Sequence, residues 1–118
     1  GSIKTLLAQG EQALEQGFLD EAEESFLAAR DKSPENAQAQ AGLAFVYWEN
    51  RKDAQAKELA QSAIDANPKQ AAMAYVVLAL AAIAESNRAG ARSNYERYLE
   101  LRPRGYLAED IKKNLGNI

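Results

Sequence analysis

The chain holds 118 residues, 47% hydrophobic and 26% charged, with only 7 glycines and 3 prolines, which suits one folded domain and excludes an intrinsically disordered segment. Its 14 basic and 17 acidic residues leave a net charge of -3 without a long run of either sign, so no cationic track exists for nucleic acid or an anionic membrane surface. With no cysteine and no histidine, disulfides, thiolate nucleophiles, the commonest zinc ligands and the commonest general base near neutral pH are removed together.

Gly1-Ser2 reads as a cloning remnant. The first helix is expected over Ile3 to Gln16, where Ala, Leu, Glu and Gln favour helix and no period-two alternation suggests a strand. Gly17 fits a tight turn that needs a positive φ. Asp20, followed by Glu23, has the reciprocal capping-box pattern for a second helix over about Glu21 to Arg30. After Pro34 come helices over about Asn36 to Asn50 and Ala54 to Asp65, the latter with Asp53 as its expected N-cap. Arg51 takes the place of Gly17 in the turn between them.

After Pro68, the run Ala71 to Glu85 is apolar around almost its whole circumference, as expected of a helix with neighbours on most sides. Its apolar stretch, about 14 residues long, is too short to span a bilayer. Asn87 caps the next helix, Arg88 to Leu101. Ser86 and one extra residue in this unit predict a different turn or a longer helix there. Beyond Pro103, the segment Gly105 to Leu115 carries a ladder of Leu107, Ile111 and Leu115, fit to cover the apolar end of the preceding helices while Asp110, Lys112, Lys113 and Asn114 face water.

These elements repeat. Pro34, Pro68 and Pro103 stand 34 and 35 residues apart, and so do Ala22, Ala56 and Ala91. Phe26, Ala60 and Tyr95 follow the alanines by four residues, and Ala29, Ala63 and Tyr98 by seven, so each trio marks an equivalent inward helix face. The expected fold is all-α, with three antiparallel helix-turn-helix units over about residues 3–36, 37–70 and 71–104 and a closing helix over about 105–116.

The pattern resembles the tetratricopeptide repeat family. Gly10, Ala44 and Ala79 match its small helix-crossing position, and Leu43, Leu78 and Tyr47 match neighbouring positions at which Gln9, Ala13 and Ala82 depart. Ala22, Phe26, Ala29 and Pro34 match the second half of the motif, as do Ala56, Ala63 and Pro68, then Ala91, Tyr95 and Pro103. Ala60 and Tyr98 depart in size, and Leu6, Gln40 and Tyr75 replace a large residue near each unit's start.

The resemblance implies an α-solenoid, a right-handed superhelix whose concave side is lined by the first helix of each unit. It places Lys4, Leu7, Glu11, Leu14 and Glu15 there, then Gln38, Ala41, Phe45, Trp48 and Glu49, then Met73, Val76, Leu80 and Ile83. The centre of such a groove is apolar, and Phe45 and Trp48 are its expected exposed aromatic anchors. The implied function is a protein-protein interaction module for an apolar helical or extended peptide segment, within a larger scaffold or assembly protein. Self-association as a homodimer through Trp48, Leu80 and Ile83 is the alternative. Some relatives clamp acidic carboxyl termini with lysine and asparagine, but Leu7, Glu11, Ala41 and Phe45 stand at those places here.

No catalytic role is expected. Glu23/Glu24, Glu109/Asp110 and Glu11/Glu15 are ordinary carboxylate pairs of solvated helices, with nothing to split their acid strengths. Gly42, Gly90, Gly105 and Gly116 form no phosphate loop, so no cofactor is expected. Arg88, Arg92, Arg97, Arg102 and Arg104 are interrupted by Glu96 and Glu100, which argues against nucleic acid as a partner.

Overall fold

The computed structural model describes residues 2–118; Gly1, half of the expected remnant, lies outside them. Among the described residues there are seven α-helices: α1 (Ile3–Gln16), α2 (Leu19–Lys32), α3 (Ala37–Glu49), α4 (Asp53–Ala66), α5 (Ala72–Ala84), α6 (Arg88–Leu101) and α7 (Ala108–Leu115). A single 3-10 turn, Pro68–Gln70, precedes α5. Ser2 has a structural role in spite of its expected origin, because its Oγ accepts the Thr5 amide at 3.2 Å and caps α1.

The helices pack as the pairs α1/α2, α3/α4 and α5/α6, each closed by the same turn. Gly17 takes φ 81°, and Arg51 and Ser86 also enter the left-handed region, at φ 63° and 59°. In each turn this residue donates to the carbonyl three residues back and the next residue donates five back: Gly17 to Leu14 at 3.1 Å and Phe18 to Ala13 at 2.8 Å, then Arg51 to Trp48 and Lys52 to Tyr47, then Ser86 to Ile83 and Asn87 to Ala82. The third turn is therefore not different, contrary to expectation. The extra residue lies earlier: Pro34 precedes the α3 start by three positions and Pro68 precedes the α5 start by four, and the surplus is wound into the 3-10 turn.

This turn also overrules two expected caps. The backbone amides of Phe18 and Lys52 close the preceding helix, and the next helix begins directly at Leu19 or Asp53, so neither Asp20 nor Asp53 can cap and the Asp20/Glu23 box does not form. Asp20, Glu21 and Asp53 instead lie in first turns, where negative charge meets the positive end of the helix dipole. Asn87 does cap, its Oδ1 accepting the Gly90 amide at 2.9 Å, and so does Asn36 toward Ala39. At the far ends, Ser33, Asn67 and Arg102 leave the helical region with φ of -146°, -164° and -137°, the first two extended. Each precedes a proline whose ring disfavours helical geometry in its predecessor, and each second helix ends one residue earlier.

The repeated positions form the core. Ala22, Ala56 and Ala91, Phe26, Ala60 and Tyr95, and Ala29, Ala63 and Tyr98 are all buried. The Phe26 ring of α2 lies against Gly10 of α1 and Gly42 of α3, and a Cβ on Gly10 would stand 2.7 Å from it. One buried amide, Gln40, is fully engaged, donating to the Pro34 carbonyl at 3.1 Å and accepting from Ser62 Oγ at 3.3 Å. The pairs stack through α2 on α3 and α4 on α5, while α3 lies close along α5 and α1 touches α3 only sparsely.

The closing helix is shorter than expected, starting at Ala108, and packs chiefly on α6. Ala108 and Ile111 are buried, Leu107 and Leu115 half-buried. Arg92 of α6 fastens the end, donating at 3.2 Å to the carbonyls of Leu115 and Ile118. Asp110, Lys112, Lys113 and Asn114 are exposed, as expected.

Candidate functional site

Because α1 and α3 diverge, a cavity of about 450 Å³ opens between them. Ala8, Glu11, Gln12, Leu14 and Glu15 of α1 form one wall; Gln38, Ala41 and Gly42 of α3 form another, with Phe26 at the base. Gln70, Ala72 and Met73 reach it from the start of α5, and Tyr98, Arg102, Arg104, Gly105 and Tyr106 from the end of α6 and the connection to α7.

Six expected groove residues, Glu11, Leu14, Glu15, Gln38, Ala41 and Met73, line this cavity together. Lys4, Leu7, Phe45, Trp48, Glu49, Val76, Leu80 and Ile83 do not. The expectation of an exposed aromatic pair fails at Phe45, which is 8% exposed, and is weakened at Trp48, half-buried against the core. Close approach of α5 to α3 is the cause: it covers Phe45 and Val76 and leaves Leu80 half-buried. Of the trio named for self-association, only Ile83, at 46%, is exposed. The cavity is also less apolar than expected, since charged and amide side chains share its walls.

Among the lining residues that the repeat pattern did not assign to the site are Tyr98, Gly105 and Tyr106. Tyr98 occupies the register of Ala29 and Ala63, and its longer side chain reaches the cavity. Gly105 passes so close to the Tyr98 hydroxyl that no Cβ would fit. A cue was present in sequence: Pro103 precedes the α7 start by five positions, more than its two counterparts, and the longer connection contains Gly-Tyr.

Charge around the cavity is uneven. Glu11 accepts from Gln38 Nε2 at 2.6 Å, and neither Glu11 nor Glu15 has a cationic partner among the described residues. Burial pushes the pKa of the Tyr98 hydroxyl above its usual range, against the opposing effects of the Leu107 backbone and the charge of Arg102. The Tyr106 hydroxyl is raised further, first by burial, then by Tyr98 and the carboxylates Glu49, Glu15 and Glu11. The Arg102 guanidinium turns to its neighbour's backbone, donating to the Leu101 carbonyl at 3.0 Å. Among the described residues no cluster of acidic side chains suits a metal ion.

The comparisons with known proteins agree with this architecture. A family model described as tetratricopeptide repeat matches residues 13–80. Similar solved structures include the first such domain of Spaghetti (RPAP3) bound to the HSP90 peptide SRMEEVD, at 26% identity and TM-score 0.68, covering 98% of this chain and 93% of that one. The first such domain of human RPAP3 is similar at 26% identity and TM-score 0.67, covering 98% and 90%. The Arabidopsis OM64 domain shares the fold at 19% identity and TM-score 0.67, covering 98% and 94%. No curated protein matches the chain.

Proposed function

From the membership of this chain in the tetratricopeptide repeat family, whose domains are non-catalytic protein-interaction modules, we propose that it binds a peptide segment of a partner protein in the cavity between α1, α3 and the start of α5. The three helix pairs are read as three repeats, over about residues 3–36, 37–70 and 71–104, and α7 as the cap. The observation that carries the reading is the cavity itself: it is about 450 Å³, it lies on the first helices, and it brings Glu11, Leu14, Gln38, Ala41 and Met73 to one place. Leu14, Ala41, Met73 and Phe26 provide apolar contact for a helical or extended segment, and the polar rim orients it. Leu7, Phe45 and Val76 support these walls from beneath, and Trp48, Leu80 and Ile83 extend the surface toward the turn end of α3 and α5.

The RPAP3 domain of Spaghetti holds an acidic HSP90 peptide. Glu11 and Glu15 stand on the α1 wall here, so an acidic side chain against that wall is disfavoured and an apolar anchor expected.

The test is selection from a random peptide library, followed by measurement of the selected peptides against two variants. Ala8→Trp, at an exposed position that lines the cavity, should block binding by more than about tenfold with an unchanged unfolding midpoint. Trp48→Ala should weaken binding about threefold to tenfold if the peptide continues along α3. Selected peptides that bind Ala8→Trp as well as the native chain would overturn the assignment to this cavity.

A further inference from the structure

The cavity has a feature that an apolar anchor would leave unused. Tyr106, held in the connection between α6 and α7, keeps 39% of its surface exposed and lies on the cavity beside Glu11 and Glu15 of α1. Glu11, Glu15 and Glu49 all act on its hydroxyl. The Tyr98 ring, buried to 2% exposure, lines the same cavity, and the clash that any Cβ on Gly105 would make with its hydroxyl keeps the chain tight at the residue before Tyr106. Two aromatic rings with adjoining carboxylates make a receptor for a cation, because the ring face and the carboxylate each attract positive charge while the ring excludes water from one side.

Two cations of the chain line the same cavity, and neither forms an ion pair with its carboxylates. Arg102 is committed to the Leu101 carbonyl, and Arg104 is exposed and makes no ion pair with Glu11 or Glu15. The ion pairs among the described residues join Lys57 to Glu85, Arg97 to Glu100 and Lys112 to Glu109, all outside the cavity. The two carboxylates of the α1 wall are therefore left without an ion-pair partner among the described residues, and the net charge of -3 adds a weak attraction for a cation.

We propose that the cavity recognises a lysine or arginine side chain of the bound peptide, seated between the Tyr106 ring and the carboxylates of Glu11 and Glu15. The inference rests on the peptide-binding reading above and gives that peptide its chemical character: an apolar segment with a basic residue next to the anchor. Arg102 and Arg104, which line the cavity from the end of α6 and the connection to α7, then favour an acidic or carboxyl-terminal group further along the same peptide and fix its direction.

The experiment uses the full chain and three synthetic peptides with the same Leu- and Ala-rich sequence, carrying two lysines, two glutamines or two glutamates at the same central positions. Fluorescence anisotropy at low salt should show the lysine peptide binding more than about tenfold tighter than the glutamate peptide, with the gap narrowing as salt is raised. Glu11→Gln combined with Glu15→Gln should reduce the gap to about twofold, and Tyr106→Leu should weaken the lysine peptide about threefold more than it weakens the glutamine peptide. Equal affinity for lysine and glutamate peptides, or a lysine preference untouched by the Glu11/Glu15 pair, overturns the inference. If the glutamine peptide still binds and Ala8→Trp still blocks it, the peptide-binding reading survives that result; if none of the three peptides binds, the inference and that reading fail together.

Discussion

A residue with a Cβ pays roughly 1 kcal/mol or more to enter the left-handed region, and only one of the three turns within the helix pairs avoids that cost with glycine. Arg51 and Ser86 are held there by the same pair of backbone hydrogen bonds that closes the turn at Gly17. Arg51→Gly and Ser86→Gly should each stabilise the fold by about 0.5–1 kcal/mol, and Gly17→Ala should destabilise it by about 1 kcal/mol, all read from urea unfolding midpoints. A destabilised Arg51→Gly would show that its side chain contributes more than its backbone strain costs. At Gln40 the polar partners decide the outcome. Gln40→Leu leaves the Pro34 carbonyl without its donor and should cost about 1–2 kcal/mol, whereas Ser62→Ala, losing a hydroxyl at an exposed position, should cost under about 0.5 kcal/mol in the same assay.

Between elements, volume is conserved by exchange. Where the first pair meets the second, the large Phe26 of α2 stands against Gly42 of α3. At the equivalent positions where the second pair meets the third, α4 offers Ala60 and α5 offers Val77, both fully buried. Ala60, a departure in size when read along one repeat, thus has its counterpart in the next helix. Phe26→Ala should cost about 3–5 kcal/mol through the cavity it leaves, and Gly42→Val about 1–3 kcal/mol through overpacking against the ring. The double variant, which copies the Ala60/Val77 arrangement, should cost clearly less than the sum. Strict additivity in thermal or urea unfolding would mean that the two positions do not share one volume.

Over the whole molecule, an array of stacked pairs transmits stability between neighbours, so an uncovered end should fray first. Deleting Gly105 to Ile118 removes Ile111 and Ala108 from α6, releases Arg92 from the carbonyls of Leu115 and Ile118, and withdraws Tyr106 from the cavity. Hydrogen exchange should accelerate in α6, then α5, and least in α1, with concentration-dependent association in sedimentation. Faster exchange confined to the shortened tail, in a protein that stays monomeric, would deny α7 its covering role. The same deletion should also lower affinity for the lysine-bearing peptide, a loss that Tyr106→Leu reproduces in part without exposing α6.

Helix existence, pairing and the proline boundaries are legible in the chain because they rest on local rules: burial of Ala22, Phe26 and Ala29 and their counterparts at spacings of four and three, the glycine turn after the first helix, and non-helical backbone before each proline. The caps at Asp20 and Asp53 were misread because a cap competes with the preceding turn for the same few residues, and here the backbone bonds of the turn prevail. Exposure along the first helices was beyond local rules altogether. Sequence spacing puts Phe45 and Glu11 on equivalent faces, but how far neighbouring helices diverge decides which is covered: α5 closes over Phe45, while the gap between α1 and α3 leaves Glu11 on an open cavity. Tyr106 joins that cavity from a connection with no repeat register, so only the path of the chain in three dimensions could bring it beside Glu11 and Glu15.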